Sequence, residues 1–570
     1  TEFMPKGISK EDFNKIRKCF NATRFEEAGK KYRALTREAD FMHIDERIRQ
    51  ITEIFSYFHN PDKETVLTPW RVVNMHMSDT IGGWCWYDET FDEKTGVLDT
   101  PRYVDQGDVT RQLFDNVDLA GEVQTKILEI NSKTGLYPLY VTYSLFRRRL
   151  DEYIKAECID KETVSVQEEQ VVWDDIVQNN MYVICNTPMA VGITRRTLFG
   201  FRQVDQKANI KNVQLIERAS KDQQGLVKEL KSVGFWKGNT SKQEMKFNAV
   251  VGNPPYMLKQ DSTSDTPIYH QFMELGFQLS PLATFITPGR FLFDAGKTPK
   301  EFNDKMLNDD YFKVIKYEPD STKIFDKVDI KGGIAITMHN TNKKYGRIIR
   351  FTSHDELHTI LKKVVEYKNF ESIDQLIYLQ NKFNLKELYK DYPEYKTIIG
   401  SNGREKRLTT SIFNQLDVFS SVRKNDDDLE IIGLINNNRV YRYIPKKYIE
   451  EHENLYKYKV VIPASNGSGA IGEVLSTPIL GEPILGYTQS FIGIGAFETE
   501  AEADAALKYV KTKFMRTMLG ILKVTQHNHT DVWKFVPLQD FTSHSDIDWS
   551  QNIPDIDRQL YAKYNLSDDE

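Results

Sequence analysis

The run Phe247-Asn248-Ala249-Val250-Val251-Gly252-Asn253-Pro254-Pro255-Tyr256 decides how this chain is read. Its apolar first half predicts a buried strand. Its second half predicts a rigid, polar-tipped turn, because two successive prolines continue neither a helix nor a sheet ladder. The turn presents one amide side chain (Asn253), one free carbonyl (Pro254) and one aromatic face (Tyr256) at the carboxyl end of a strand, where open α/β sheets bind ligands. Such a group suits an aromatic amine. The Asn253 side-chain oxygen and the Pro254 carbonyl can both accept hydrogen bonds from an exocyclic NH2, and Tyr256 offers a stacking face to a base that has left its helix.

Asn253-Pro254-Pro255-Tyr256 resembles the signature of the γ-class N6-adenine DNA methyltransferases of the TaqI type, the methylase part of type IIG and type I-like restriction–modification enzymes. The resemblance implies an α/β, Rossmann-like sheet that binds S-adenosylmethionine (SAM). It also implies catalytic roles for Asn253, Pro254, Pro255 and Tyr256, and double-stranded DNA as a partner. Four letters alone also occur in unrelated proline-terminated strands. The rest of the chain must therefore supply a cofactor site and a DNA reader.

Upstream, Thr68-Pro69 predicts a helix start, with the threonine as cap and the proline in the first turn. It is similar to the Thr-Pro element ahead of the γ-class core, which implies that Thr68 contacts the methionine end of the cofactor. Residues 125–137 predict the first core strand and a glycine-bearing turn, followed by a helix over 139–150. Glu129 at the strand end can take the cofactor's ammonium, and Gly135 lets the backbone approach a ligand. The family carries Asp-Pro-x-x-Gly-x-Gly-x-Phe here. This chain keeps an acid (Glu129), the second glycine (Gly135) and an aromatic (Tyr137), but has Ile130 for the proline and Lys133 for the first glycine. Glu129, Asn131, Gly135 and Tyr137 are the resulting cofactor candidates.

Met181-Tyr182-Val183-Ile184-Cys185 predicts the second core strand, with Asn186-Thr187-Pro188 opening a helix. Pockets of this type place an acid here to hold the ribose hydroxyls. The aligned positions are Cys185 and Asn186, neither of them acidic. Glu217, Asp222 and Asn239 are the candidates to meet the adenine of the cofactor.

Downstream, 257–266 reads as a polar loop able to close over DNA, and 268–277 as an amphipathic helix. Ala283–Leu292 reads as a strand plus turn, and 314–337 as a closing hairpin. The resemblance gives Phe325 the role of stacking on the flipped base opposite Tyr256. From 398 onward the composition shifts to strands, glycines and asparagines, with strands over 429–443 and 458–463. Arg439, Arg442, Lys446 and Lys447 are interleaved with Tyr441, Tyr443 and Tyr448. Polar loops follow at 464–469, which contains Asn466, and at 487–490. These are side chains that read DNA, and the region resembles the target-recognition domain of the same enzymes. Arg439, Arg442 and Asn466 are the DNA-binding candidates. A long helix is expected over 500–522. Gln526-His527-Asn528-His529-Thr530 has no acidic partner at ligand spacing and reads as structural, so no metal is expected.

At 570 residues the chain exceeds a single core. The expected parts are an N-terminal helical segment (1–60), the SAM-dependent domain (61–350), a helical connector (351–395), the recognition domain (396–540) and a tail (541–570). Thr1-Glu2-Phe3 ahead of Met4 reads as a cloning remnant. The net charge of −6 argues against a sequence-blind coat for DNA. No long apolar run predicts a membrane span. The four cysteines are scattered without a CxxC pair, as in a reduced, cytoplasmic protein. Neither a phosphate-binding Gly-x-x-x-x-Gly-Lys-[Ser/Thr] nor a nuclease cluster is present, so restriction or translocase parts would be other domains or subunits. Two further readings stand beside the first. One is a cytosine N4 methyltransferase, because the same acceptors fit that amine. The other is a non-catalytic DNA-binding or scaffold subunit with a decayed SAM site, suggested by Cys185 and the altered 129–137 turn.

Overall fold

The computed structural model describes residues 9–19, 21–58, 67–90, 96–116, 124–202, 209–258, 266–326, 328–352, 354–467, 470–523 and 525–570. The expectation placed on Thr1–Met4, both ends of the 1–60 helical segment, most of the 257–266 loop and Ser468–Gly469 lie outside the described residues. The chain divides into two compact units, Thr1–Phe351 and Thr352–Glu570.

The first unit is built on one sheet. Its strands are β1 (Ile127–Ser132), β2 (Met181–Cys185), β3 (Asn209–Asn212), β4 (Ala249–Gly252), β5 (Leu282–Pro288), β6 (Phe312–Glu318) and β7 (Ile334–Asn340). They lie in the order β6-β7-β5-β4-β1-β2-β3. β1 to β5 run parallel, and β7 is antiparallel to both β5 and β6. Parallel strands covered on both faces read as unbroken apolar runs. Accordingly every residue of β1, β2 and β4 is buried. The order reverses between β1 and β4, and at such a switch point the carboxyl ends of the strands leave a crevice. This is the Rossmann-like α/β sheet expected.

Two apolar clusters cover the sheet. One gathers Trp70, Val73, Leu139, Tyr143 and Trp173. The other gathers Tyr182, Trp236, Phe247, Phe272 and Phe291. Three helices matter for the site: α1 (Trp70–Thr80), α2 (Leu136–Glu157) and α3 (Pro188–Phe199). α2 starts three residues before the expected position and runs to 157, with Tyr153 and Ile154 still packed against the first cluster and an exposed last turn. Thr187 caps α3 by accepting from Ala190 N at 3.1 Å. The N-terminal segment belongs to this unit, since Ala39, Ile44, Ile48 and Ile51 enter the first cluster.

In the second unit, the expected strand over 429–443 is a hairpin of Asp428–Ile435 and Asn438–Pro445. Asn436 and Asn437 both adopt positive φ (51° and 62°), the backbone of a tight two-residue turn. Tyr458–Pro463 pairs with Phe491–Phe497 in a second sheet. The helix expected over 500–522 is broken in two, Glu500–Tyr509 and Lys513–Gly520. Thr512 restarts it, its hydroxyl accepting from Met515 N at 3.1 Å. A cap of that kind competes with helix continuation. The tail is folded in as well: Asp557 of the last helix accepts from Lys513 N and Phe514 N, both at 3.0 Å. The expected connector from Thr352 onward and the tail 541–570 thus fall within the second unit. Among the described residues, no helix is long and apolar enough to cross a membrane, no acid–His–Cys group could hold a metal ion, and Cys19, Cys85, Cys158 and Cys185 are all free.

Candidate active site

The end of β4 meets the end of β1 at the switch point. Gly252 makes the meeting possible: a Cβ there would lie 2.6 Å from Ile130 O, so only glycine lets the two strands close. Asn131 is the second local device. The β1–β2 register shifts between Ile130 and Ser132, and Asn131 sits in that irregularity with φ 69°. Asparagine tolerates this left-handed geometry better than most residues. From there its Nδ2 donates to the Asn253 main-chain oxygen at 3.2 Å. A candidate cofactor residue and the candidate catalytic residue are therefore directly joined.

Asn253 is 5 % exposed. Its Nδ2 donates to Thr68 Oγ1 at 2.9 Å, and its Oδ1 has no partner. Two more buried atoms of the corner are also unpaired, Glu129 Oε2 and the Tyr256 hydroxyl. A buried polar atom without a partner costs about 1–3 kcal/mol, and native proteins keep few of them. Unpaired buried polar atoms occur elsewhere among the described residues as well, Asn528 Oδ1 included. What sets these three apart is that they gather at one switch point, where a polar ligand would find them. Burial raises the Glu129 carboxyl to about 8, with Ser132 and the Lys133 charge opposing the rise. Burial also raises the Tyr256 phenol, which therefore stays neutral. The carboxyl is therefore neutral at pH 7 in the free protein, even with the Lys133 charge nearby.

Thr68 corrects its expected local role. Pro69 is the cap residue of α1, and no side chain caps the helix. The Thr68 hydroxyl is turned instead to Asn253, 185 residues away in sequence. The same helix makes two further connections. Arg71 Nη2 donates to Lys323 O (3.1 Å) and Ile324 O (2.8 Å), fixing the turn that bears Phe325. His76, wholly buried, touches Tyr137 Oη through Nδ1 and Thr284 Oγ1 through Nε2, each at 2.8 Å. Thr284 spends its own proton on Thr337 O at 3.0 Å. Nε2 must then carry the imidazole proton, and Nδ1 accepts from Tyr137. Burial depresses His76 to about 3, so it is neutral. A single histidine on a largely apolar helix gives no signal in the sequence.

Several expected site residues have structural work here. Tyr137 is buried and its hydroxyl is held by His76, so it offers the corner only its ring. Gly135 opens α2 with φ 78°, and a Cβ there would come 3.0 Å from Thr194 Cα. Close packing of α2 on α3 already requires this glycine. Cys185 is no ribose ligand: it has no exposed surface, and burial lifts its thiol to about 12. Its nearest polar neighbour is Thr194 Oγ1 at 3.8 Å. Asn186, half-buried at the end of β2, remains at the crevice. Glu217 pairs with Lys221 at 3.0 Å, Asp222 accepts from Gly225 N at 3.1 Å, and Asn239 accepts from Ser241 N at 3.0 Å. All three are taken up by local structure. Phe325 is 1 % exposed, packed with Val72, Met75, Ile286 and Val328, and Tyr256 rests against that cluster. Burying an apolar ring of this size is worth roughly 1.5–3 kcal/mol. Phe325 therefore presents no open stacking face in this conformation.

In the second unit, Asn466 is 8 % exposed and fully engaged. Its Nδ2 donates to Val474 O (3.1 Å), and its Oδ1 accepts from Asn528 Nδ2 (2.8 Å). Asn528, from the polar run at 526–530, is thereby structural as expected. Arg439 donates to Thr477 O and Oγ1, both at 2.7 Å, and lies over Phe491. Lys447 pairs with Asp391 at 2.6 Å. Arg442 donates only to its neighbour's carbonyl, Tyr441 O at 2.9 Å, and Tyr441 is exposed. Of the expected DNA readers, Arg442 with Tyr441 stays open.

The sheet and its corner define a doubly wound α/β domain with a polar, ligand-ready switch point. Residues 179–325 match the family model of the Eco57I restriction-modification methylase. A stretch of 103 residues is 32% identical to an uncharacterized adenine-specific methylase of Mycoplasma pneumoniae, covering 17% of this chain and 24% of that protein. Among solved structures, the ATP-dependent Type ISP restriction-modification enzyme LlaBIII bound to DNA is 12% identical, with a TM-score of 0.33 over 85% of this chain and 40% of that one. The DrdV–DNA complex is 11% identical, with a TM-score of 0.33 over 87% of this chain and 58% of that one. The chain thus spans about a quarter of the curated relative it matches.

Proposed function

We propose that the chain is a site-specific DNA methyltransferase that moves the methyl group of SAM to N6 of a flipped adenine, as the modification activity of a cytoplasmic restriction–modification system. The observation that carries the reading is the Asn253 corner: a buried amide with its Oδ1 unpaired, at a sheet switch point, beside Pro254 and Tyr256. Bound SAM would supply an electrophilic methyl on a sulfonium. Glu129 suits its ammonium group, because the carboxyl is buried and its Oε2 has no hydrogen-bond partner. Asn131 and Asn186 stand at the same crevice, and the Tyr137 ring walls it.

Asn253 Oδ1 and the Pro254 carbonyl accept from the two N–H groups of the adenine amine. This concentrates lone-pair density on N6 and aims it; the rate comes from positioning, without a covalent enzyme intermediate. Tyr256 stacks on the base. Phe325 reaches the other face only if the Arg71-held turn opens. The second unit reads the DNA sequence, with Arg442 and Tyr441 as its open contacts. Adenine is preferred over cytosine N4 because the motif is Asn-Pro-Pro-Tyr and not Ser-Pro-Pro-Trp. Restriction and translocase parts belong to other domains or subunits.

The test is to incubate DNA with the chain and SAM carrying a labelled methyl, then digest to nucleosides. Label in N6-methyl-2′-deoxyadenosine supports the reading. Label in N4-methyl-2′-deoxycytidine assigns the cytosine reaction, and DNA binding with no transfer assigns the scaffold role.

A further inference from the structure

We propose that Thr68 is a positioning residue for the catalytic amide: it holds the Asn253 NH2 so that Oδ1 faces the substrate amine. The proposal rests on the methyltransferase reading and adds to it, since the resemblance gave Thr68 a cofactor contact instead. An asparagine amide can take two orientations related by a flip about its last torsion, and only one presents oxygen to an amine donor. In the structure Nδ2 is turned to Thr68 Oγ1 at 2.9 Å, and Oδ1 is the unpaired atom. The main chain of Asn253 is pinned separately by Asn131, so the side chain is the one freedom left.

Thr68 can hold it because α1 cannot move. Thr68 is itself buried, at 8 % exposure. Within α1, Arg71 ties the helix to the 321–325 turn, and His76 ties it to Tyr137 and to Thr284 of β5. The missing cap at the start of α1 fits the same account. A threonine directly before Pro69 is well placed to cap, yet its hydroxyl serves the far side of the corner. Losing that acceptor leaves the amide free to turn its NH2 toward the substrate, where it would repel an amine donor. A misplaced group of this kind costs about a hundredfold in rate.

The experiment compares Thr68→Val, which keeps shape but loses the hydroxyl, with Thr68→Ser, which restores it. Expected at saturating SAM and DNA is a kcat lower by about a hundredfold in the valine variant. Its SAM dissociation constant, measured by calorimetry, stays within about twofold of wild type, and the serine variant recovers most of the rate. A valine variant with near-normal kcat but SAM binding weakened about tenfold or more makes Thr68 a cofactor contact and overturns the proposal. A second readout needs no catalysis. In asparagine-15N-labelled protein, the side-chain NH2 signal assigned to Asn253 by its loss in Asn253→Asp should shift and exchange faster in Thr68→Val, and return in Thr68→Ser. An unmoved signal sinks the proposal even if the wild type methylates DNA. A moved signal in a chain that transfers no methyl sinks the methyltransferase reading and leaves the contact standing.

Discussion

The corner at Asn253 and the pocket around Asn466 contain the same kind of side chain, buried to a similar degree at 5 % and 8 % exposure. They differ in what the amides do. Asn466 uses both ends of its amide inside the chain, on Val474 and Asn528, and its main-chain oxygen accepts from the buried Lys523 at 3.1 Å. Asn253 uses its NH2 on Thr68 and leaves its oxygen empty, next to an unpaired Glu129 oxygen and an unpaired Tyr256 hydroxyl. Closed polar groups hold architecture together; open ones, gathered at a switch point, await a ligand. A polar residue in a loop therefore says little until its partners are counted.

The strongest break of this contrast is to remove the open amide. Asn253→Ala should lower methyl transfer by about a thousandfold or more while costing only about 1 kcal/mol of stability. The lost oxygen bonds nothing in the free protein, and the lost NH2 gives up one bond, to the Thr68 hydroxyl. Asn466→Ala should do the reverse. It strands Val474 O and one N–H of Asn528 Nδ2, whose other N–H keeps Pro463 O, so denaturation should show a loss of about 1–3 kcal/mol with kcat little changed. A large kcat loss without destabilisation would put Asn466 among the DNA contacts after all.

His76 tests whether the closed network behind the corner is equally structural. His76→Leu leaves the Tyr137 hydroxyl unpaired and should cost about 1–3 kcal/mol at neutral pH. The sign of its pH dependence is fixed. The folded imidazole sits at about 3 against 6.5 for the free side chain, so the unfolded chain takes up the proton first. Wild-type stability therefore falls as pH drops below 6.5 toward 3. The leucine variant should lack that component of the acid slope, which a pair of urea titrations at about pH 7 and about pH 5 would reveal. The smallest effect is expected at Arg442. If it touches a phosphate, Arg442→Ala should weaken DNA binding equally for all sequences and flatten the salt dependence by about one unit. Arg439→Ala, whose guanidinium is already held by Thr477, should leave that slope alone.

Much of the scaffold is legible in the amino-acid order alone. Met181–Cys185 and the strand that leads into Asn253 are buried on both faces, so their apolar runs carry the signal undiluted. The hairpin turn at Asn436-Asn437 is hidden, because both flanks share one strand-like pattern and only the two positive φ angles divide them. Site roles are legible where a motif names them and illegible where they depend on contacts distant in sequence. Thr68 meets Asn253 across 185 residues, and His76 meets Thr284 across 208. The roles expected of Cys185 and Phe325 rest on alignment with a pattern, which fixes position along the chain but not which way a side chain turns. Cys185 has no exposed surface, and Phe325 sits in an apolar cluster.

The central claim is that the open corner is a cofactor site, and a calorimetric titration of the intact chain with SAM at about pH 6, 7 and 8 tests it most directly. Glu129 is protonated below about 8 in the free protein. Taking up the cofactor's ammonium needs the carboxylate, so binding must release a proton below that pH. The account predicts micromolar binding at about pH 8, weakening about fifty-fold by about pH 6, with the pH dependence lost in Glu129→Gln. No binding at any of the three values, or binding indifferent to pH and to Glu129, would contradict it.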